Sequence, residues 1–478
     1  MEITMKRFIA VLLTLFLLIT VLYKTNSFFI DKSGDAKYTH FMEAPERYDV
    51  VFLGSSHTVM GILPMEIWHE QRISTYNLGN YGQLLPADYW ILKEVLSMSK
   101  PELVVVDAFT IMSDNKYGEQ HLSYLHEVFD NFKYSKLKKE AISDLFPEEM
   151  WNDFLCPFSI YHSQWENIQQ ELFIDSCENY TYGEGSDENG FYGAKTDILV
   201  KPQETVSTSS QNVNNTDTAG TIYLRKIIEL CQENDIDILL TLTPFILTEE
   251  QAEWNNRISL IANEYGIHFF DGTANCAINP VTDMWDSGHL NSSGAQKWSS
   301  ALGQYIVENY NIPQYNEGEI YDYWNSLYNN TYIPYKIDRI KEQDNLYNYL
   351  MLAADKNFSV CIHIPEQSNV YNDYECIELI KNLSPYKTLN SFDNTANNGK
   401  RSCFVIIDST YCSVWEYMDG ESISALQTSF GYVDFHDNQL LISNYADNQW
   451  ETSFQDTSNI SIVLINNLTG AVIDDTLF

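Results

Sequence analysis

Val50-Val51-Phe52-Leu53-Gly54-Ser55-Ser56-His57 is an apolar run that stops at a glycine and two serines. Four apolar residues in succession read as a strand buried on both faces, as a parallel sheet covered by helices requires. Ser56 then sits just past the C-terminal edge of that strand. An open α/β sheet places its ligands there, and the N-terminus of a following helix favours a developing negative charge. Similar runs recur outward from this point: a second strand ending at Asn77-Leu78-Gly79, a third at Leu103 to Asp107, a fourth at Ile236 to Thr243 and a fifth at Ile267 to Asp271. Helices are expected between them at Pro86 to Ser99, with Pro in the first turn, at Ile222 to Asn234 and at Glu249 to Tyr265. A last helix begins near Asn291 or Ser292, both good N-caps. Strands separated by helices in this way predict a doubly wound α/β sheet.

The second informative stretch is Asp286-Ser287-Gly288-His289-Leu290-Asn291. A serine hydroxyl attacks an ester carbonyl only if an imidazole takes its proton, and the imidazole needs a carboxylate to hold its tautomer and stabilise its charge. Ser56 as nucleophile, His289 as base and Asp286 as orienting acid meet that need. Each part has a plainer reading, since Gly-Ser-Ser after a strand is a common turn and Asp-x-x-His fits a helix cap with a surface histidine. The two together, each after an apolar strand and in this order, favour a triad. His57, beside Ser56, is a weaker base, because neighbouring residues on a strand-to-helix turn point in different directions. Asp283 is the rival acid, with a spacing from His289 that fits less well.

These blocks resemble the SGNH (GDSL-like) hydrolase superfamily, over roughly Tyr48 to Val307. Gly54-Ser55-Ser56 is similar to its Gly-Asp-Ser block, and Asn77-Leu78-Gly79-Asn80-Tyr81-Gly82 to its second block. The resemblance implies a three-layer parallel-sheet domain and an oxyanion hole built from the N–H groups of Ser56 and Gly82. A third donor, a side-chain amide after strand three, has no counterpart, since Asp107 is followed by Ala108-Phe109-Thr110-Ile111. Gln83 and Thr110 are substitutes between which the sequence does not choose. Loss of one such donor typically costs about a hundredfold or more in rate. The same departure resembles a membrane-anchored bacterial branch similar to the D-alanyl transfer proteins of teichoic acids.

Lys6-Arg7 precedes an uninterrupted apolar stretch from Phe8 to Tyr23, at the short end of what spans a bilayer. Signal peptides end in small residues, whereas Lys24-Thr25-Asn26-Ser27-Phe28 follows here. The expectation is therefore an uncleaved transmembrane signal-anchor over residues 1–30. The basic flank stays inside and the bulk of the chain lies outside the cell membrane. With 28 Lys and Arg against 66 Asp and Glu, the formal charge is −38. So acidic a surface repels nucleic acid and anionic headgroups, and no nucleic-acid partner is expected. The eight cysteines show no C-x-x-C spacing, which argues against a zinc site and a disulfide scaffold. Cys231 and Cys276 read as buried thiols, while Cys156 and Cys177 form a pair that sequence leaves open. No metal or cofactor is expected.

Residues 31–313 are assigned to the esterase or acyltransferase domain, with an insertion at about 112–220. Its stretch Ser207-Thr208-Ser209-Ser210-Gln211-Asn212 reads as a flexible loop. Residues 314–343 read as a connecting segment and 344–478 as a smaller β-rich domain. Strands are expected there at Phe358 to Ile364, Cys403 to Asp408, Gln439 to Ser443 and Ile460 to Ile465, with a helix around Asp373 to Leu383 and a hairpin turning at Asn467 to Gly470. This part resembles the interleukin-like EMT inducer domain, which implies glycan recognition and carries over no catalytic residues.

The expected function is that of an extracytoplasmic serine esterase or O-acyltransferase acting on acyl groups, most simply acetyl, of a cell-envelope polysaccharide. Its expected partners are that polysaccharide or another acylated glycan and the membrane, with a membrane-bound acyl-donor protein as a further candidate. Two other readings are a catalytically weak glycan-binding or assembly protein with the same fold, and a lipase or thioesterase. The polar, aromatic insertion argues against an apolar acyl channel and hence against the latter.

Overall fold

The computed structural model describes all residues except 1, 34–35, 45–46, 157–206, 281, 384–401, 419–420, 447 and 455–457. Five parallel strands form the first sheet: β1 (Val50–Leu53), β2 (Thr75–Asn77), β3 (Leu103–Asp107), β4 (Asp237–Leu242) and β5 (His268–Asp271), in the order β2-β1-β3-β4-β5. β1 is in register with both neighbours, Val50 opposite Thr75 on one side and Leu103 on the other. Every residue of β1, β2 and β3 is buried, because helices cover both faces. The chain leaves β1 toward β2 and returns to its other side as β3, so the order reverses at β1. The crevice at the carboxyl ends of β1 and β3 is thus a switch point of the kind where α/β sheets bind ligands.

Local chemistry sets the helix boundaries. Helix Leu85–Leu96 has proline in its first turn, and helix Glu249–Tyr265 starts with a Thr248/Gln251 capping box and ends at left-handed Gly266. Helix Ser292–Asn309 starts where Asn291 accepts the N–H of Gly294. Helix Ala219–Glu233 begins three residues earlier than the apolar periodicity suggests, because Thr218 and Thr221 cap it reciprocally. Ser207 to Asn212, read as a flexible loop, has no regular structure but is tied down. Thr208 N–H donates to the Leu247 carbonyl and Leu247 N–H to Ser207 Oγ.

The segment 314–343 is more than a connection. It forms helices Glu319–Leu327 and Ile333–Lys341 joined by a π-helical turn at Tyr328–Tyr332. Trp324 is fully buried in the core of the first domain, its ring 5.2 Å from that of Trp68 and stacked on it. Trp324→Ala is expected to cost about 3–5 kcal/mol, as for other buried tryptophans. Urea unfolding of the full chain measures it, and a loss under about 1 kcal/mol would make the segment a mere tether. A chain cut near Pro313 would lose this packing, so truncation there cannot isolate catalysis from recognition.

The C-terminal part is a two-sheet sandwich with helices on one outer face. β6 (Phe358–Ile364), β7 (Cys403–Asp408), β8 (Ser413–Met418), β13 (Ser461–Asn466) and β14 (Ala471–Leu477) form an antiparallel sheet in the order β14-β13-β6-β7-β8. β9 (Ile423–Thr428), β10 (Gly431–His436), β11 (Gln439–Asn444) and β12 (Gln449–Ser453) form the second. Phe404, Ile406 and Val463 meet Val433, Phe435 and Leu440 between the sheets. The opposite face of β6 and β13 packs on helices Leu346–Ala353 and Tyr374–Asn382. The hairpin at Asn467 to Gly470 turns on left-handed Gly470.

Helix Glu2–Ser33 holds the N-terminus, with Phe8, Val11, Leu13, Phe16, Leu17 and Ile19 exposed. Among the described residues no helix is long and apolar enough to cross a membrane, so the transmembrane span expected from Phe8 to Tyr23 is not supported here. Cys231 is buried as expected; Cys276 is only half-buried; Cys177 lies outside the described residues.

Candidate active site

Gly54 follows β1 with φ +146°, and a Cβ there would lie 2.2 Å from Thr58 Oγ1 and 3.0 Å from Asp107 Cβ. Only glycine fits the turn. The Ser55 carbonyl then accepts N–H bonds from Thr58 (3.0 Å) and Val59 (3.2 Å) and starts the short helix Ser56–Gly61, with Ser56 its first residue. Asn77, at the end of β2, donates its amide to the carbonyls of Thr58 (2.8 Å) and Ile62 (3.0 Å). The first residue of the second block therefore braces the helix that carries Ser56.

Two hundred and thirty-three residues later in the chain, His289 brings Nε2 to 2.9 Å from Ser56 Oγ. Its Nδ1 lies 3.0 Å from both carboxylate oxygens of Asp286. Asp286 Oδ1 also accepts the N–H of Gly288 (2.7 Å) and of His289 (2.8 Å), folding the loop into a tight turn that aims the imidazole. Trp285 N–H donates to the His289 carbonyl at 2.9 Å and Ile246 N–H to the Ser287 carbonyl at 2.9 Å, which pins the loop over the end of β4. Burial alone would push the Asp286 carboxyl up, but the hydrogen bond and charge of His289 and the two N–H donors hold it below the ordinary carboxylate value. The acid is thus ionised and oriented toward the base.

Asp283 is excluded as the acid by its surroundings. It is fully buried, with both oxygens 2.7 Å from Lys297 Nζ and further bonds from Ser293 Oγ and Asn279 N–H. His57 is not the base either, since it is Ser56 and His289 that meet. Its imidazole is buried, stacked 3.6 Å from the Phe109 ring, edge-on to Phe245 and 5.1 Å from the His289 ring. Burial, and then the charge of His289, hold it well below the usual histidine range.

The N–H groups of Ser56 and Gly82 have no hydrogen-bond partner among the described residues. Gly82 has φ +65°, and a Cβ on it would strike the His121 ring at 2.3 Å. Gln83, one of the two substitutes for the third donor, is committed elsewhere. Its amide donates to Asp88 Oδ1 (2.6 Å) and the Leu78 carbonyl (3.3 Å), and its Oε1 accepts from Tyr38 (3.1 Å). Burial pushes Asp88 up to about 8, so at neutral pH this pair is largely uncharged. Thr110 Oγ1 is buried without a partner. Asp107 ties the ends of β3 and β4 together, accepting Phe109 N–H (3.0 Å), Thr243 N–H (2.8 Å) and Thr243 Oγ1–H (2.6 Å). The first residues of the insertion border the crevice: Asn80 donates its amide to the Tyr124 carbonyl at 3.1 Å. Among the described residues no group of three or more His, Cys, Asp or Glu could hold a metal ion.

Phe109, Phe245, Trp285 and His121 belong to this site and carry no signal in the sequence, since each is brought there by a different loop. The assembled groups can move a proton from Ser56 Oγ to His289 Nε2 and back, the requirement for nucleophilic catalysis. No family model and no curated protein matches the sequence. Among solved structures the chain is similar to one from Bacteroides fragilis, provisionally described as an acylhydrolase, at 14% identity over 54% of this chain and 86% of that one, with a TM-score of 0.27. It is also similar to an active-site mutant of a family two carbohydrate esterase from Clostridium thermocellum in complex with celluohexase, at 10% identity over 55% of this chain and 64% of that one, with a TM-score of 0.26. Superpositions this loose say nothing of the chemistry here, which rests on the strand order and the Ser56–His289–Asp286 geometry.

Proposed function

We propose that the chain is an SGNH-type serine esterase or O-acyltransferase that acts on acyl groups, most simply acetyl, of a cell-envelope polysaccharide. The observation that carries this is the relay from Ser56 Oγ to His289 Nε2 at 2.9 Å and on to Asp286 at 3.0 Å. It lies at the carboxyl end of a central parallel strand beside a chain reversal. Ser56 Oγ attacks the acyl carbonyl while His289 takes its proton, and the resulting oxyanion is held by the unpaired N–H groups of Ser56 and Gly82. The imidazolium, stabilised by Asp286, then protonates the departing sugar oxygen. Water or an acceptor hydroxyl, deprotonated by His289, releases the acyl group from Ser56. A catalytically weak glycan-binding role is the second reading, favoured by the lack of a side-chain amide in Ala108-Phe109-Thr110-Ile111 after β3. Acetate release from an O-acetylated polysaccharide by the wild type, absent in Ser56→Ala, supports esterase action. Binding without acetate release or transfer in either protein supports the second reading.

From Lys6-Arg7 and the apolar run that follows them we further propose a membrane anchor with the rest of the chain outside. The full chain is then expected in the membrane fraction, and protease added to cells stripped of their wall should digest everything after about Asn26. Recovery of a soluble secreted chain beginning after Tyr23 would contradict the anchor.

A further inference from the structure

A buried imidazole with an unused nitrogen is an expensive neighbour for a nucleophile. His57 Nδ1 is buried with no hydrogen-bond partner, which typically costs about 1–3 kcal/mol. A phenylalanine would stack between Phe109 and Phe245 without that cost. The ring's other nitrogen, Nε2, has no hydrogen-bond partner among the described residues. A neutral imidazole carries one proton, on one of its two nitrogens. On Nδ1 it would be closed in with no acceptor, which favours the tautomer that carries it on Nε2. His57 thus presents an N–H donor beside the catalytic base, 5.1 Å from it ring to ring. The usual amide donor is absent, Gln83 is committed, and Thr110 Oγ1 is closed off.

We propose that His57 Nε2–H is the third donor of the oxyanion hole. The assignment rests on the serine-hydrolase reading of this site. As the Ser56 Oγ–carbon bond forms, the carbonyl π pair moves onto oxygen and the serine proton onto His289 Nε2. The oxyanion accepts hydrogen bonds from the Ser56 and Gly82 N–H groups and from His57. When it collapses, the bond to the departing sugar oxygen breaks and His289 supplies that oxygen's proton. His57 donates throughout and keeps its own proton. Its neutrality matters, because a second imidazolium would oppose charging of His289; burial and His289 itself both disfavour that state.

The test is steady-state turnover of p-nitrophenyl acetate by the full chain, together with the rate at which a fluorophosphonate labels Ser56. His57→Phe keeps the aromatic stack and removes the donor, and His57→Asn restores a donor without the stack. His57→Phe is expected to lower kcat about a hundredfold with KM little changed and to slow labelling in parallel. His57→Asn should recover part of both, and Thr110→Val should leave both near wild type. Turnover and labelling by His57→Phe within about threefold of wild type, from a protein that unfolds at the same urea concentration, would overturn the proposal, well short of the loss a missing donor produces. So would a loss in Thr110→Val that equals that of His57→Phe. A wild type with no Ser56-dependent turnover or labelling would overturn the hydrolase reading itself, and the proposal with it.

Discussion

Ser56→Ala, His289→Ala and the double variant should all fall to one floor in ester turnover, roughly 10⁴-fold or more below wild type. Members of a proton relay act as a unit: once the nucleophile is gone, the base has nothing to deprotonate, so the second substitution costs little more. The expectation follows from the 2.9 Å contact between Ser56 Oγ and His289 Nε2. Asp286→Ala should cost less, because the serine–histidine contact survives and only orientation and charge support are lost. Additive losses in the double variant would mean that the two residues serve separate roles. Retained activity in Ser56→Ala with loss in His57→Ala would move the chemistry to another residue.

The second large effect lies far from the chemistry, at the junction of the two domains. Glu66 is fully buried beneath helix Ile333–Lys341, where Lys336 Nζ bonds it and reaches Asp355 Oδ2 at 2.6 Å. Lys356 Nζ lies 3.1 Å from Glu66 and 2.5 Å from Glu70, and Tyr332 donates to Glu66 at 3.0 Å. Lys336→Met leaves two buried carboxylates facing each other across one lost cation and is expected to destabilise by about 3–5 kcal/mol. Glu66→Gln should cost less, since Lys336 keeps Asp355 and Lys356 keeps Glu70. Urea unfolding of the full chain decides it, and near-equal stability of Lys336→Met and wild type would contradict the account. The pH dependence has a definite sign. Burial alone would push the Glu66 carboxyl up, but the charges of Lys336 and Lys356 hold it well below its ordinary value. Its contribution is therefore present above about pH 4.3, where the unfolded carboxylate titrates, and is lost as pH falls toward the folded value. Lys336 works in the opposite sense. Burial alone would push it down, but Asp355 and then Glu66 raise it above its usual range. Its share is intact below about pH 10.4 and is lost only as pH rises beyond that.

The parallel sheet was legible because strands buried on both faces leave uninterrupted apolar runs, as at Val50–Leu53 and Leu103–Asp107. A side chain that bonds within a few residues marked one helix start, at Asn291. The meeting of Ser56, His289 and Asp286 was legible for a related reason: Asp286 and His289 share one turn, and Ser56 stands directly after a buried strand. What escaped is nonlocal or disguised. Helix Glu319–Leu327 buries Trp324 and Leu327, yet tyrosine, asparagine and acidic neighbours hide that face. β8, half-buried throughout, and β12, which alternates exposed and half-buried residues, are edge strands without apolar runs. Lys336 and Glu66 stand 270 residues apart, and neither residue alone suggests the pair. The stack of His57 on Phe109 likewise arises only when β1 and β3 lie side by side.

The most direct measurement is covalent labelling of the full chain with a fluorophosphonate, followed by peptide mapping. Such a probe reacts with a serine only when a neighbouring base has activated it. The geometry predicts a single adduct on Ser56, abolished in Ser56→Ala and strongly slowed in His289→Ala. An unlabelled Ser56 in the folded wild type, or an adduct on another serine, would contradict the claim that Ser56, His289 and Asp286 form a working nucleophilic site.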